Sequence, residues 1–302
     1  MNISYSSLKS IFILFFTFTI ISFIAFPNNS FAGGSGEDEG KVDIVDKVVD
    51  HDYVDFYFLG KLKLPKFEPV TIAGITFDFS ITKSLFMMML VSVLLVFVLY
   101  VAASSNKKNL VPKGIGNFIE TIVVFVRDEI VIPNMGKDGV KMLPFFLTLF
   151  FFILFANLFG LIPFMAQPTK NINVTAALAL IVFFVTQAKG IQANGFFGYC
   201  KGLVPHGIPT FVLPIMIVVE FIGLFTKPFS LLMRLFANIT AGSIIILSLI
   251  SLIFIMSYAG IVIAVPFALF IYLLEIFVSV LQAYIFTMLA TLYINMAVHQ
   301  DH

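Results

Sequence analysis

From Leu235 to Leu274 the chain carries no Asp, Glu, Lys, Arg or His, and the residue immediately before that run is Arg234. An uncharged stretch of this length is more than a soluble core can bury, so lipid must serve as much of its solvent. Composition agrees, since only 12% of the 302 residues are charged where a soluble domain carries about 25%. A guanidinium does not release its proton, so Arg234 stays cationic at any working pH. Holding such a charge at mid-membrane costs from about 3 to above 10 kcal/mol, depending on water access. The stretch FSLLMRLFANITAG (229–242) therefore needs a counter-charge, and none lies close by in sequence.

Other classes are set aside quickly. A net charge of +1 gives no electrostatic footprint for nucleic acid. The single cysteine, Cys200, excludes an internal disulfide, and with His206 it finds no further ligands at metal-binding spacing. There is no GxxxxGK[ST] loop, so ATP hydrolysis by this chain alone is not expected, and no cofactor is implied.

Residues 1–32 read as a secretory signal, with Lys9 as the positive n-region, residues 11–26 as the apolar core and Ser30-Phe31-Ala32 as a small-x-small cleavage site. An uncleaved membrane anchor is the alternative. The acidic region that follows, within residues 33–83, then sits outside. Residues 84–302 form the membrane domain. Its first helix is 84–103, followed by Lys107, Lys108 and Lys113, which mark the cytoplasmic side. Residues 115–130 mix apolar and charged positions at helical spacing and read as an amphipathic helix on the cytoplasmic face. A helix hairpin spans 143–188, turning at PTKNIN, and Lys189 and Lys201 flank a cytoplasmic loop.

The last third, 211–298, holds two very long apolar helices, about 211–257 and 262–298, joined near Ser257 to Gly260. Straight, they would measure roughly 70 and 55 Å against a hydrocarbon core of about 30 Å. They must break, for instance near Pro228, or lie strongly tilted. The expected fold is an all-α polytopic membrane protein. It has about five membrane helices in the mature chain and an amphipathic surface helix, and the last two helices are long and tilted.

A thin polar track runs along this pair. Glu220 and Lys227 precede Arg234 by two heptads and one, near the same helix face, and Glu220 is some 21 Å away along a continuous helix, too far for a salt bridge. Glu275, Ser279 and Gln282 share a face of the last helix. Asn238 stands at i+4 from Arg234, with Ser243 beyond it. Glu220 lies toward the cytoplasmic end and Asn238, Ser243, Glu275 and Gln282 toward the exterior, with Arg234 between them. Asn238, Ser243 and Ser279 taken singly read equally as ordinary interhelical hydrogen bonds. A buried carboxyl such as Glu275 is suited to passing protons. Ala237, Ala241 and Gly242 follow Arg234, while Ala283, Ala290 and Ala297 recur every heptad. Such small faces admit a close helix, and the expectation is a separate protein that brings a carboxylate to Arg234.

KPFSLLMRLFANITAG together with LEIFVSVLQAYIFTML closely resembles subunit a of the F-type ATP synthase, and FFFILFANLFGLIP and NINVTAALAL resemble its central hairpin. The resemblance spans roughly residues 75–298. It implies a stator beside a rotating ring of c subunits, with two long tilted helices along the ring, in a bacterial inner membrane. Arg234 matches the family's essential arginine, whose counter-charge is a ring carboxylate. Asn238 and Gln282 match polar positions beside the proton path, Asn157 one in the exterior half-channel and Glu220 one near the cytoplasmic half-channel. There is a departure: many bacterial members place Glu at the position of Ser243 and His at that of Glu275. Here the acid sits on the last helix, which makes Glu275 the expected proton relay. Two rivals remain: a secondary transporter, which would show paired halves, and a purely structural anchor, which would have little use for Arg234.

Overall fold

A computed structural model describes residues 53–56, 60–63, 70–72, 75–77, 82–108, 114–162, 165, 167–202 and 211–300. The signal-like segment 1–32, the acidic run up to residue 52 and Lys113 lie outside the described residues.

Two short antiparallel hairpins come first. β1 (Tyr53–Phe56) pairs with β2 (Gly60–Lys63), and β3 (Val70–Ile72) with β4 (Ile75–Phe77). Tyr53 lies opposite Lys63, and Val70 opposite Phe77. Strands of three or four residues leave almost no alternation to read, and they were not anticipated. From Lys83 onward the described elements are helical: α1 (Lys83–Lys108), α2 (Ile115–Phe125), α3 (Ile132–Met135), α4 (Leu143–Phe159), α5 (Ile172–Gly202) and α6 (Leu213–Val298). Among the described residues, five stretches are long and apolar enough to cross a membrane: Lys83–Ser104, Ile115–Phe159, Ile172–Gly202, Leu213–Leu249 and Ala264–Val298. The all-α polytopic membrane fold is therefore as expected.

The expected surface helix is present as a helix with an interrupted C-terminal part. α2 stops at Phe125, and a π-helical turn, Val126–Val131, leads into α3 and then a 3-10 segment, Gly136–Met142. Ile119, Val123, Val126 and Ile130 are buried at steps of three and four, but the other side exposes Phe118, Val124 and Phe125. That outer side also carries Asn117 and Thr121, with Glu120 half-exposed, so α2 is amphipathic with several apolar residues on its outer face. Much of the charge read as amphipathic collects instead in the π turn, where Arg127 forks onto the adjacent Asp128 at 2.6 and 2.9 Å.

Nor is 189–201 a loop. α5 continues to Gly202 with one kink at Gly195, whose φ of 71° lies in the region that favours glycine. Beyond the kink the chain folds back, so closely that a Cβ on Gly190 would lie 2.4 Å from the Tyr199 ring. Asn194 Nδ2 donates to the carbonyls of Ala297 and Val298 at 3.1 and 3.2 Å, satisfying the end of α6. Lys189 lies within the helix before the kink, whereas Lys201 lies in its last turn.

α6 is helical by hydrogen bonding throughout and runs through Pro228 and Pro266 without a break. It nevertheless doubles back. A Cβ on Gly242 would lie 3.1 Å from Glu275 Oε1, whereas a straight helix would separate these residues by about 50 Å. Its two arms, Leu213–Leu249 and Ala264–Val298, therefore lie side by side. By helix rise they measure about 55 and 52 Å, so both must tilt to fit a core of about 30 Å.

The core gathers Phe146, Phe151 and Ile153 of α4, Leu178 of α5, Leu231 and Leu235 of the first arm, and Ala283, Ala290 and Ile294 of the second. Outside it, Phe221, Phe225 and Phe229 on the first arm and Phe267, Phe270 and Phe277 on the second are exposed, as suits lipid. The alanine stripe corrects an expectation. Ala283, Ala290 and Ala297 are buried within this chain, so that face admits the chain's own helices, while Ala237 and Ala241 stay exposed. Ala290→Leu is accordingly expected to destabilise the chain by about 1–3 kcal/mol through overpacking. Thermal melting of the protein in detergent checks this, with Ala237→Leu expected to melt as the unaltered chain does.

Candidate functional site

Three polar groupings lie along the α6 arms. The first begins at Asn157 in the last turn of α4, which is fully buried. Its carbonyl is one of those a helix end leaves unpaired, and Gln167 Nε2 donates to it at 3.1 Å. Thr169 Oγ1 donates to Asn157 Oδ1 at 2.8 Å. Gly160 makes room for this knot, since a Cβ there would lie 1.4 Å from Gln167 Cγ. Asn157 Nδ2 and Gln167 Oε1 remain buried without a protein partner. One donates and the other accepts, the pair of functions that a water or hydronium can bridge.

The same connection reaches the second arm. Tyr272 donates its hydroxyl proton to the Leu161 carbonyl at 2.5 Å, one turn before Glu275. Glu275, Ser279 and Gln282 lie on the buried face of that arm. Ser279 Oγ donates to the Glu275 carbonyl at 2.8 Å and Ser243 Oγ to the Ile239 carbonyl at 2.9 Å. Both hydroxyl protons are therefore spent within their own helix, leaving only oxygen lone pairs to offer. Gly242 is what lets the first arm approach Glu275. Lys170, at the end of the 3-10 turn Pro168–Lys170, lies close enough to act electrostatically on Glu275. Burial pushes the Lys170 amine below the ordinary lysine range; Glu275 opposes that shift and Lys83 adds to it.

The second grouping surrounds Arg234, which is half-buried on the first arm. At steps of three, four and seven from it stand Ala237, Asn238 and Ala241, all exposed, while Leu231, Leu235 and Ile239 turn inward. Among the described residues no carboxylate makes an ion pair with Arg234. Asn238 thus shares the open face with Arg234 and is set apart from Ser243, Glu275 and Gln282.

The third grouping is a cleft of about 350 Å³ lined by Glu220, Lys227, Gln187, Tyr199, His299 and Gln300, among others. Tyr199 donates its hydroxyl proton to Gln187 Oε1 at 2.7 Å. Counting back from the Gly242–Glu275 contact, Glu220 lies more than 30 Å along the arm from the level of Glu275, by about 1.5 Å per residue. Leu235, Ile239, Ala283 and Phe286, all buried, lie along the arms between the level of Glu275 and that of Glu220.

Asn157, Ser243, Glu275, Gln282, Glu220 and Arg234 were all legible as rare polar groups in apolar helices. Gln167, Thr169 and Lys170 were missed. They belong to a turn that reads as polar throughout, and their only signal is that this turn lies between two apolar helices.

Taken together, these features define a multi-pass helical membrane protein whose last helix pair bears two polar recesses at different heights and one permanent cation between them. The chain belongs to the ATP synthase A chain family, which residues 85–295 match. It is 47% identical over 270 residues to an ATP synthase subunit a from Chloroherpeton thalassium, covering 88% of this chain and 79% of that one. A subunit a from Myxococcus xanthus is 49% identical over 233 residues, covering 74% and 77%. One from Pelodictyon phaeoclathratiforme is 45% identical over 277 residues, covering 90% and 80%.

The knot at Asn157 yields a direct test. Gly160→Ala drives a methyl group into Gln167, and is expected to lower proton flux through the assembled complex at least severalfold, on the scale of a 1–3 kcal/mol overpacking strain. Gly198→Ala, where the added atom meets only Asn194 at 3.7 Å, should leave flux unchanged in the same vesicle assay.

Proposed function

We propose that this chain is the membrane stator subunit of an F-type ATP synthase. It performs no ATP chemistry itself but offers two proton half-channels to a rotating ring of c subunits. The observation that carries this reading is Arg234: a permanent cation on an exposed helix face, flanked by Ala237 and Ala241, with no carboxylate paired to it among the described residues. A charge so costly to keep in lipid implies a partner that the chain does not itself supply. A carboxylate on each ring subunit meets that need, and the small side chains let the ring helix come close.

Protons are taken up from the exterior through the recess of Asn157, Ser243, Glu275 and Gln282, and Asn238 meets them at the ring face. Glu275 is the ionisable member and relays the proton; Ser243 contributes lone pairs. A ring carboxylate that gains the proton becomes neutral and can turn through lipid, where its ionised form would cost several kcal/mol. After nearly a full turn it reaches the cleft of Glu220 and releases the proton to the cytoplasm. Arg234 draws the ionised carboxylate and, unable to give up a proton, does not pass one on. The buried apolar level of Leu235, Ile239, Ala283 and Phe286 supports the separation of the two recesses. A proton crossing about 150 mV releases about 3.5 kcal/mol, so a leak at this level would waste the drive.

In this arrangement residues 1–32 serve export, 33–83 stay outside and 84–302 form the membrane domain of a bacterial inner-membrane protein. The N-terminus is exported and the C-terminus cytoplasmic. The partners are the c-ring, the peripheral-stalk b subunits, the remainder of the complex and membrane lipids. The deciding measurement is ATP-driven proton pumping by inverted vesicles carrying Arg234→Ala, with assembly checked on the same preparation. Loss of pumping by an intact complex is expected; normal pumping would sink the stator role of Arg234.

A further inference from the structure

The recess around Glu275 contains a second charge to which the proton path as described assigns no task. Lys170 closes the 3-10 turn Pro168–Lys170, which packs against α1 and α6. Two bonds fix the position of that connection. Thr169, the neighbour of Lys170, is held by Asn157 of α4, and Leu161 is held by Tyr272 of the second arm. The connection is therefore tied both to the knot at Asn157 and to the turn of helix that carries Glu275. At this level the first arm brings Gly242 and Ser243, neither charged. α4 brings Asn157, and α1 brings Lys83, whose field acts on Lys170. Arg234 lies about 12 Å down the first arm from the level of Glu275, by helix rise, on the open face. Among the described residues, Lys170 is the charged group whose field acts on Glu275.

Resting on the proton-path reading above, we propose that Lys170 is the resident counter-charge of Glu275, a positioning residue that holds the carboxylate in the recess and sets how readily it takes up and passes protons. A carboxylate buried without a partner keeps its proton more tightly, and an adjacent cation favours the ionised form. With Lys170 in place, Glu275 can return to the proton-accepting state after each transfer. Without it, the acid stays protonated to higher external pH.

The test uses the whole complex in liposomes at fixed membrane potential. ATP synthesis is measured against the pH on the side that the 161–170 connection faces, for Lys170→Gln, Lys170→Arg and Arg234→Ala in parallel. For Lys170→Gln, the pH at which synthesis declines should move upward by about half to one unit, the lower end of what a neighbouring charge produces. Lys170→Arg keeps the charge and should superpose on the unaltered profile. A Lys170→Gln profile that superposes, or a Lys170→Arg profile that moves equally far, overturns the proposal. Should Lys170→Gln not assemble, the double variant Lys170→Gln/Glu275→Gln removes both charges and is expected to restore assembly; its failure to do so also refutes the pairing. An unmoved Lys170→Gln profile alongside uncoupled Arg234→Ala refutes the counter-charge alone, whereas normal coupling in Arg234→Ala refutes the underlying reading.

Discussion

A guanidinium in a lipid-facing helix has few ways to be accommodated. It does not shed its proton, and its solvation cost falls only if water or an anion reaches it. In this chain the first arm of α6 carries Arg234 on a face whose neighbours at helical spacing are Ala237, Asn238 and Ala241, all exposed. The opposite face, Leu231, Leu235 and Ile239, is committed to the core. Rotating the arm to bury the charge would expose those three side chains and force a cation among phenylalanines. Packing of the inner face therefore fixes the outward direction of the charge, and the charge in turn requires something outside the chain.

The rest of the helix pair is organised by close approach. Gly242 brings the first arm against Glu275, Gly160 lets Gln167 reach the end of α4, and Gly190 admits Tyr199. Each is a position where a methyl group would push a polar or aromatic side chain from its place. The alanines of the second arm do the same for the core, where Ala283 and Ala290 meet a bundle dominated by Phe146, Phe151 and Phe152. Alternating large and small side chains lie along the arms between the level of Glu275 and that of Glu220.

Much of this was legible because lipid imposes a simple grammar. Crossings need about 20 apolar residues, and charges within such runs are rare enough to stand out, which is how Arg234, Glu220 and Glu275 were found. The misreadings have physical causes too. Of the two options left open for the long helix, a break near Pro228 is not the one taken, since neighbouring helices and local adjustment accommodate a proline within a membrane bundle. Lys189 was taken as a loop flank, although a long basic side chain can leave a helix surface without ending the helix. Asn238 was assigned to the exterior recess, yet its i+4 spacing from Arg234 already placed the two on one face. The alanine heptad could not disclose whether its partner was internal or external, because a small face is the same in either case. Lys170, Gln167 and Thr169 gain their meaning only when the connection folds back on α4 and α6, a tertiary event with no periodic signature.

The chain thus carries an acid and a base that do not neutralise each other, and magnitude shows why that arrangement can hold. At an effective dielectric of about 20, charges about 12 Å apart attract by roughly 1.4 kcal/mol, against about 4 kcal/mol at 4 Å. Glu275 and Arg234 are offset by about 12 Å along the arm, by helix rise, and lie on different faces, so their mutual pull is weak. A carboxylate arriving at the open face would meet Arg234 at contact distance and outbid Glu275 by the difference. Glu275 in turn has Lys170 close by, so it need not reach toward Arg234 for compensation. If Lys170 serves Glu275 as proposed above, the acid is satisfied from within while the arginine is left to a partner, and the two charges stay available for separate steps. Moving Glu275 one or two turns toward Arg234 would close the pair internally and leave no unpaired cation for a partner to find.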